Sequence, residues 1–161
     1  MTLDYNGKVV IVTGAGGGLG RCHALEFARR GAKVVVNDLG GAVDGSGGSS
    51  EAADKVVEEI KAAGGEAMSN GSSVTDDAGV ANMVQQTMDA YGRIDVLVNN
   101  AGVFRDKSFA KMEIADFDFV VDVHLFGTMK PTKAVWPIMK EQGYGRIMVT
   151  SSSSGLYGNF G

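Results

Sequence analysis

KVVIVTGAGGGLGR, residues 8–21, is the stretch whose reading decides the fold. Val9 to Val12 form a continuous β-branched run with no polar alternation, the pattern of a strand buried on both faces, as in a parallel sheet covered by helices. Glycines at 14, 16, 17, 18 and 20 follow directly. The spacing does not fit G-x-G-x-x-G: counted from Gly14 the last position is Leu19, and counted from Gly16 it is Arg21. Gly14, Gly18 and Gly20 fit G-x-x-x-G-x-G at a strand-to-helix turn. A phosphate-binding P-loop is excluded, because no Lys-Ser or Lys-Thr closes the glycines.

Outward from this turn the same alternation recurs. Apolar runs stand at 8–13, 33–37, 94–99 and 146–150, with a weaker one, EAMSN, at 66–70. Helical stripes lie between them. Val80, Met83, Val84, Thr87, Met88 and Tyr91 recur at helix spacing behind Thr75 and Asp76, either of which can cap free N–H groups. Ala53, Val56, Val57 and Ile60 share a second face, which Gly64 ends. Five strand–helix alternations predict one α/β domain over 1–161, a doubly wound parallel sheet of the Rossmann type with right-handed crossovers. The glycine- and serine-rich segment 39–50 reads as a flexible loop inside that domain, not a linker. Pro131 falls within a helical stretch and is expected to end or kink it. Trp136 and Met139 are expected in the core or a subunit interface.

Composition narrows the function classes. The chain has 161 residues, 44% hydrophobic and 21% charged, and a net charge of −4 with no basic cluster, so neither nucleic acid nor an anionic membrane is an expected partner. One cysteine, Cys22, allows no internal disulfide or thiolate cluster, and no metal site is expected. No run approaches a membrane span, and the start lacks the form of a secretory signal. A reducing, cytoplasmic setting is the expectation.

The glycine turn has a partner. A glycine bend lets a pyrophosphate approach the backbone, and the free N–H groups of the next helix hold its charge. Asp38 ends the second strand 18 residues after Gly20, where a carboxylate can accept hydrogen bonds from an adenosine ribose. It would repel a 2′-phosphate, which favours NAD over NADP.

TGAGGGLG at 13–20, Asp38, NNAG at 99–102 and the serines after the fifth strand together resemble the short-chain dehydrogenase/reductase family over the whole chain. VVVNDLGG, AADKVVEEI, RDKSF, YGRI and SGLYGNFG narrow the likeness to the (3R)-hydroxyacyl-CoA dehydrogenase domain of peroxisomal multifunctional enzyme type 2 and its bacterial relatives. The resemblance implies strand order 3-2-1-4-5 with later strands beyond this chain. It implies cofactor contacts at Thr13, Gly14, Gly18, Leu19, Gly20, Asp38, Ser73, Val74, Asn100, Ala101 and Gly102. The implied reaction passes a hydride from a (3R)-hydroxyacyl-CoA to NAD, in a protein that forms a homo-oligomer when full length and is peroxisomal if eukaryotic. The alternatives are a reductase of another ketone and a non-catalytic dinucleotide-binding module.

The family pattern places a catalytic serine at Ser152, with Ser151 and Ser153 as rivals, a tyrosine thirteen residues on, and a lysine four beyond that. Thirteen residues past Ser152 is position 165, and the chain ends at Gly161. Tyr157 is five residues along and is followed at the fourth place by Gly161, so it reads as a packing residue near the substrate side. These residues are therefore expected to be the N-terminal part of a longer protein that binds NAD weakly but does not turn over as given. His124 stands where most of the family has asparagine. It shares a helical face with Phe117, Val120 and Val121, so a proton relay and a buried core histidine are both open.

Overall fold

A computed structural model of the protein describes residues 3–42, 44–48 and 50–159. The elements follow one another as β1 (Val9–Thr13), α1 (Gly18–Arg29), β2 (Lys33–Asn37), α2 (Glu51–Ala62), β3 (Glu66–Asn70), α3 (Asp77–Tyr91), β4 (Val96–Asn99), α4 (Ile114–Val121), α5 (Gly127–Glu141), β5 (Arg146–Val149) and the single turn α6 (Ser154–Tyr157). A 3₁₀ turn at Phe109–Lys111 precedes α4, and a π-helical turn at Asp122–Phe126 joins α4 to α5. All strands pair in parallel, in the order β3-β2-β1-β4-β5.

The register sorts the core into two layers. Val10 lies opposite Val34 and Val96, and Val12 opposite Val36 and Val98. These six valines pack with Ala24 and Ala28 of α1 and Val56 and Ile60 of α2. Ile11, opposite Val35 and Leu97, points to the other face and meets Met83 of α3 and Val135 and Met139 of α5. Side chains on a strand alternate between faces, so a run apolar at every position can supply both layers. Burying each such valine contributes about 1.5–3 kcal/mol.

Local chemistry sets the ends of the elements. Asp76, not Thr75, caps α3: its Oδ2 accepts from Gly79 N at 2.7 Å, while Thr75 N donates to Ser73 Oγ at 3.2 Å. Gly92 closes α3 at φ +71°, a left-handed conformation open to glycine. Pro131 does not end its helix. α5 runs through Pro131 and Pro137, because each proline forfeits one N–H bond while buried Val135 and Met139 keep the face anchored to the sheet. Trp136 is 59% exposed and lies outside the core, whereas Met139 is inside it. β5 and β3 are the sheet edges among the described residues, and β5 leaves Met148 and Val149 exposed. No helix among the described residues is long and apolar enough to cross a membrane.

Candidate active site

The carboxyl ends of β1, β2 and β4 converge on the glycine turn, and side chains from β1 and β4 tie it down. Thr13 Oγ1 accepts from Asn100 N and Ala101 N, each at 3.0 Å. Asn100 answers with its amide: Nδ2 donates to Thr13 O and Gly14 O, both at 3.0 Å, while Oδ1 accepts from Thr150 Oγ1 at 3.3 Å. One asparagine thus joins the ends of β1, β4 and β5.

Three glycines are required here for three reasons. Gly14 has φ +61°, and a Cβ on it would stand 2.7 Å from Ala101 Cα. A Cβ on Gly20 would fall on the carbonyl oxygen of Gly14 and within 2.5 Å of Asn100 Nδ2. At Gly16 a Cβ would meet Ala52 Cβ at 2.8 Å and the Asp38 carboxylate at 2.9 Å. Gly16 falls outside the motif read from the spacing, because its constraint comes from α2 and β2. Gly17 and Gly18 have open space beside them, and Leu19 is 65% exposed. Among the described residues no side-chain cap closes the start of α1, whose first N–H groups have no intrahelical acceptor. The resulting concavity carries the positive end of a twelve-residue helix.

Asp38 faces this turn. Its Oδ2 accepts from Gly16 N and its Oδ1 from Gly40 N, both at 2.7 Å. The carboxylate therefore fastens the loop after β2 to the loop after β1. Below it, Asn37 Nδ2 donates to Asn70 Oδ1 and Ser72 O, each at 2.8 Å, and so shapes the loop leading to Ser73 and Val74. Ser73 Oγ pairs with Thr75 Oγ1 at 2.9 Å. Val74 is buried against Gly127, whose Cβ would lie 2.7 Å from Val74 Cγ2.

His124 sits in the π-helical turn and is exposed, so the core-histidine reading fails: the extra residue in that turn rotates it out of the α4 stripe toward the loop after β4. Nε2 lies 3.1 Å from Val103 N and 2.9 Å from Val103 O. A bare Nε2 accepts from the first, and a protonated one donates to the second. The imidazole lies over Gly102, where a Cβ would come within 2.7 Å of Cε1. Ser152 is exposed beyond β5, and its Oγ accepts from Ser154 N at 3.1 Å. Tyr157, on the single turn α6, is 86% exposed and belongs to neither core layer, so among the described residues it is not the packing residue the sequence suggested.

Fold and site together define a doubly wound α/β protein whose loops gather at the carboxyl edge of a parallel sheet. The chain belongs to the short chain dehydrogenase family, whose model matches residues 8–161. It is 59% identical to peroxisomal multifunctional enzyme A of Dictyostelium discoideum over 161 residues, 100% of this chain and 36% of that protein. Against peroxisomal multifunctional enzyme type 2 of Drosophila melanogaster it is 57% identical over 159 residues, 99% of this chain and 26% of that protein. The solved structure of 7α-hydroxysteroid dehydrogenase complexed with NADH and 7-oxo glycochenodeoxycholic acid superposes with a TM-score of 0.88 at 32% identity, covering 98% of this chain and 58% of that one.

Proposed function

We propose that the protein of which these residues are part is an NAD-dependent oxidoreductase that takes a hydride from a secondary alcohol, a (3R)-hydroxyacyl-CoA. The observation that carries the reading is Asp38 held between Gly16 N and Gly40 N, beside a helix start without a side-chain cap among the described residues. The residues fit the dinucleotide. Gly14 and Gly20 allow backbone approach, and each Asp38 oxygen accepts one N–H and has lone-pair capacity left for a ribose hydroxyl. NAD, when bound, supplies the hydride acceptor. NAD rather than NADP is favoured by the Asp38 charge, and the solved relative carrying NADH supports a nicotinamide dinucleotide in general.

In this reading the N–H groups of Gly18 and Leu19 hold the pyrophosphate, and Thr13, Asn100, Ala101 and Gly102 set the floor beneath the nicotinamide side. Ser73 and Val74 border the adenine. Ser152 has its Oγ lone pair engaged by Ser154 N, which leaves the hydroxyl proton for a substrate oxygen. His124 Nε2, within reach of both Val103 N and Val103 O, holds the loop after β4 at the edge of the site. No tyrosine in the sequence is followed by lysine at the fourth place, so these residues do not supply that general base. A missing base costs about 10²- to 10⁴-fold, and these residues alone should bind without turning over.

The names of the relatives support a peroxisomal setting, and the acyl-CoA substrate rests on the sequence resemblance carried by VVVNDLGG, RDKSF and SGLYGNFG. Exposed Phe117, Leu125, Met129 and Trp136 along α4 and α5 support a homo-oligomer. A reductase of a different alcohol or ketone is the second reading, favoured by the likeness to a steroid-binding relative. Fluorescence titration with NADH tests the nucleotide step. Saturable binding weakened about tenfold or more by Asp38→Ala is expected, and no saturable binding overturns the proposal. Turnover of the full-length protein on (3R)-hydroxyacyl-CoA esters but not steroids separates the two substrates.

A further inference from the structure

A cavity of about 370 Å³ opens beside the glycine turn, between the starts of α1 and α2. Gly16 and Gly40, the two residues whose N–H groups hold Asp38, form one end of its lining. The other end carries two cations, Arg21 and Lys55. Both are paired within the same lining. Arg21 Nε and Nη2 grip Glu59 at 3.1 and 2.7 Å in a fork, and Lys55 Nζ meets Glu51 Oε1 at 2.7 Å.

We propose that Glu59, and with it Glu51, are specificity-determining residues: by pairing with Arg21 and Lys55 they offset the charge of the two cations in the cavity beyond the ribose site, and so disfavour a 2′-phosphorylated dinucleotide. The inference rests on the dinucleotide reading given above. A ribose held at Asp38 stands beside Gly16 and Gly40, so a substituent on its 2′-oxygen is directed toward the cavity they line. A dianionic phosphate entering there meets carboxylates from Asp38, Glu51 and Glu59 against two cations already engaged. Arginine is the side chain best matched to a phosphate, and here the Nε–Nη2 edge that would grip one is turned to Glu59. The pair is half exposed, at 42% and 45%, so it adds little to stability; its consequence is for recognition. Lys55 holds the Glu51 carboxyl below its ordinary range.

The test compares NADH and NADPH binding by fluorescence titration in the protein and in Glu59→Gln, Glu51→Gln/Glu59→Gln and Glu59→Gln/Arg21→Gln. Glu59→Gln should tighten NADPH about tenfold and change NADH less than about twofold, and the added Glu51→Gln should tighten NADPH further. Adding Arg21→Gln should abolish the gain. Unchanged NADPH affinity with NADH binding intact overturns the proposal and leaves the dinucleotide reading standing, as does a gain that survives Arg21→Gln. Failure of NADH to bind any of the four proteins overturns both.

Discussion

Thr13 and Asn100 hold each other twice across the parallel sheet, at a separation of 87 residues in the chain: Asn100 N donates to Thr13 Oγ1, and Asn100 Nδ2 donates to Thr13 O, each at 3.0 Å. Thr13 is fully buried. Its hydroxyl also serves Ala101 N, so one oxygen satisfies two neighbouring N–H groups.

Thr13→Val keeps the shape and removes that oxygen. Two part-buried N–H groups then lose their acceptor, and the expected loss is about 1–3 kcal/mol in urea unfolding. NADH binding should weaken with it, because the loop at 100–102 loses its tether to β1. A variant as stable as the parent would show that water replaces the hydroxyl.

Gly20 and Gly17 should respond oppositely to alanine. Gly20→Ala drives a Cβ into the Gly14 carbonyl and Asn100 Nδ2, and should cost about 3 kcal/mol and abolish dinucleotide binding. Gly17→Ala meets nothing within 4 Å, at φ −161°, which any residue adopts. Its unfolding midpoint should stay unchanged, while NADH affinity falls, since the methyl group stands where the pyrophosphate approaches. Equal destabilisation of both variants would contradict the geometry.

Asp95 makes stability depend on pH. Burial pushes its carboxyl up, but Arg93, Val9 N and Lys8 pull it the other way, and the outcome lies below the ordinary carboxylate range. A folded value below the unfolded one gives stability that is present above the unfolded pKa and lost as pH falls through the folded one. Asp95→Asn should therefore be less stable than the parent by about 1–3 kcal/mol at neutral pH, and the gap should close in acid. Urea midpoints measured from pH 7 down to pH 3 check this; a gap independent of pH would remove Asp95 as its source.

What the amino-acid order determined by itself is what depends on near neighbours. Strand and helix are written in the unbroken Val9–Val12 run and the Val80–Tyr91 stripe, because backbone preference and hydrophobic period act over a few residues. Gly14 and Gly20 were legible for the same reason: a strand that turns at once into a helix needs glycine there. The position of Asp38 directly after β2 was legible in the same way, whereas its hold on Gly16 N and Gly40 N was not. The tertiary structure alone decided that Gly16 can be nothing larger, since Asp38 reaches it only after the β1–α1–β2 crossover and Ala52 only from α2 beyond it, and that Pro131 could sit in α5 without stopping it, since the sheet holds that face. The exposure of His124 and the pairing of Arg21 with Glu59 belong to the same class. Each joins residues tens of positions apart, and their proximity follows from how helices pack on the sheet, which no local pattern encodes.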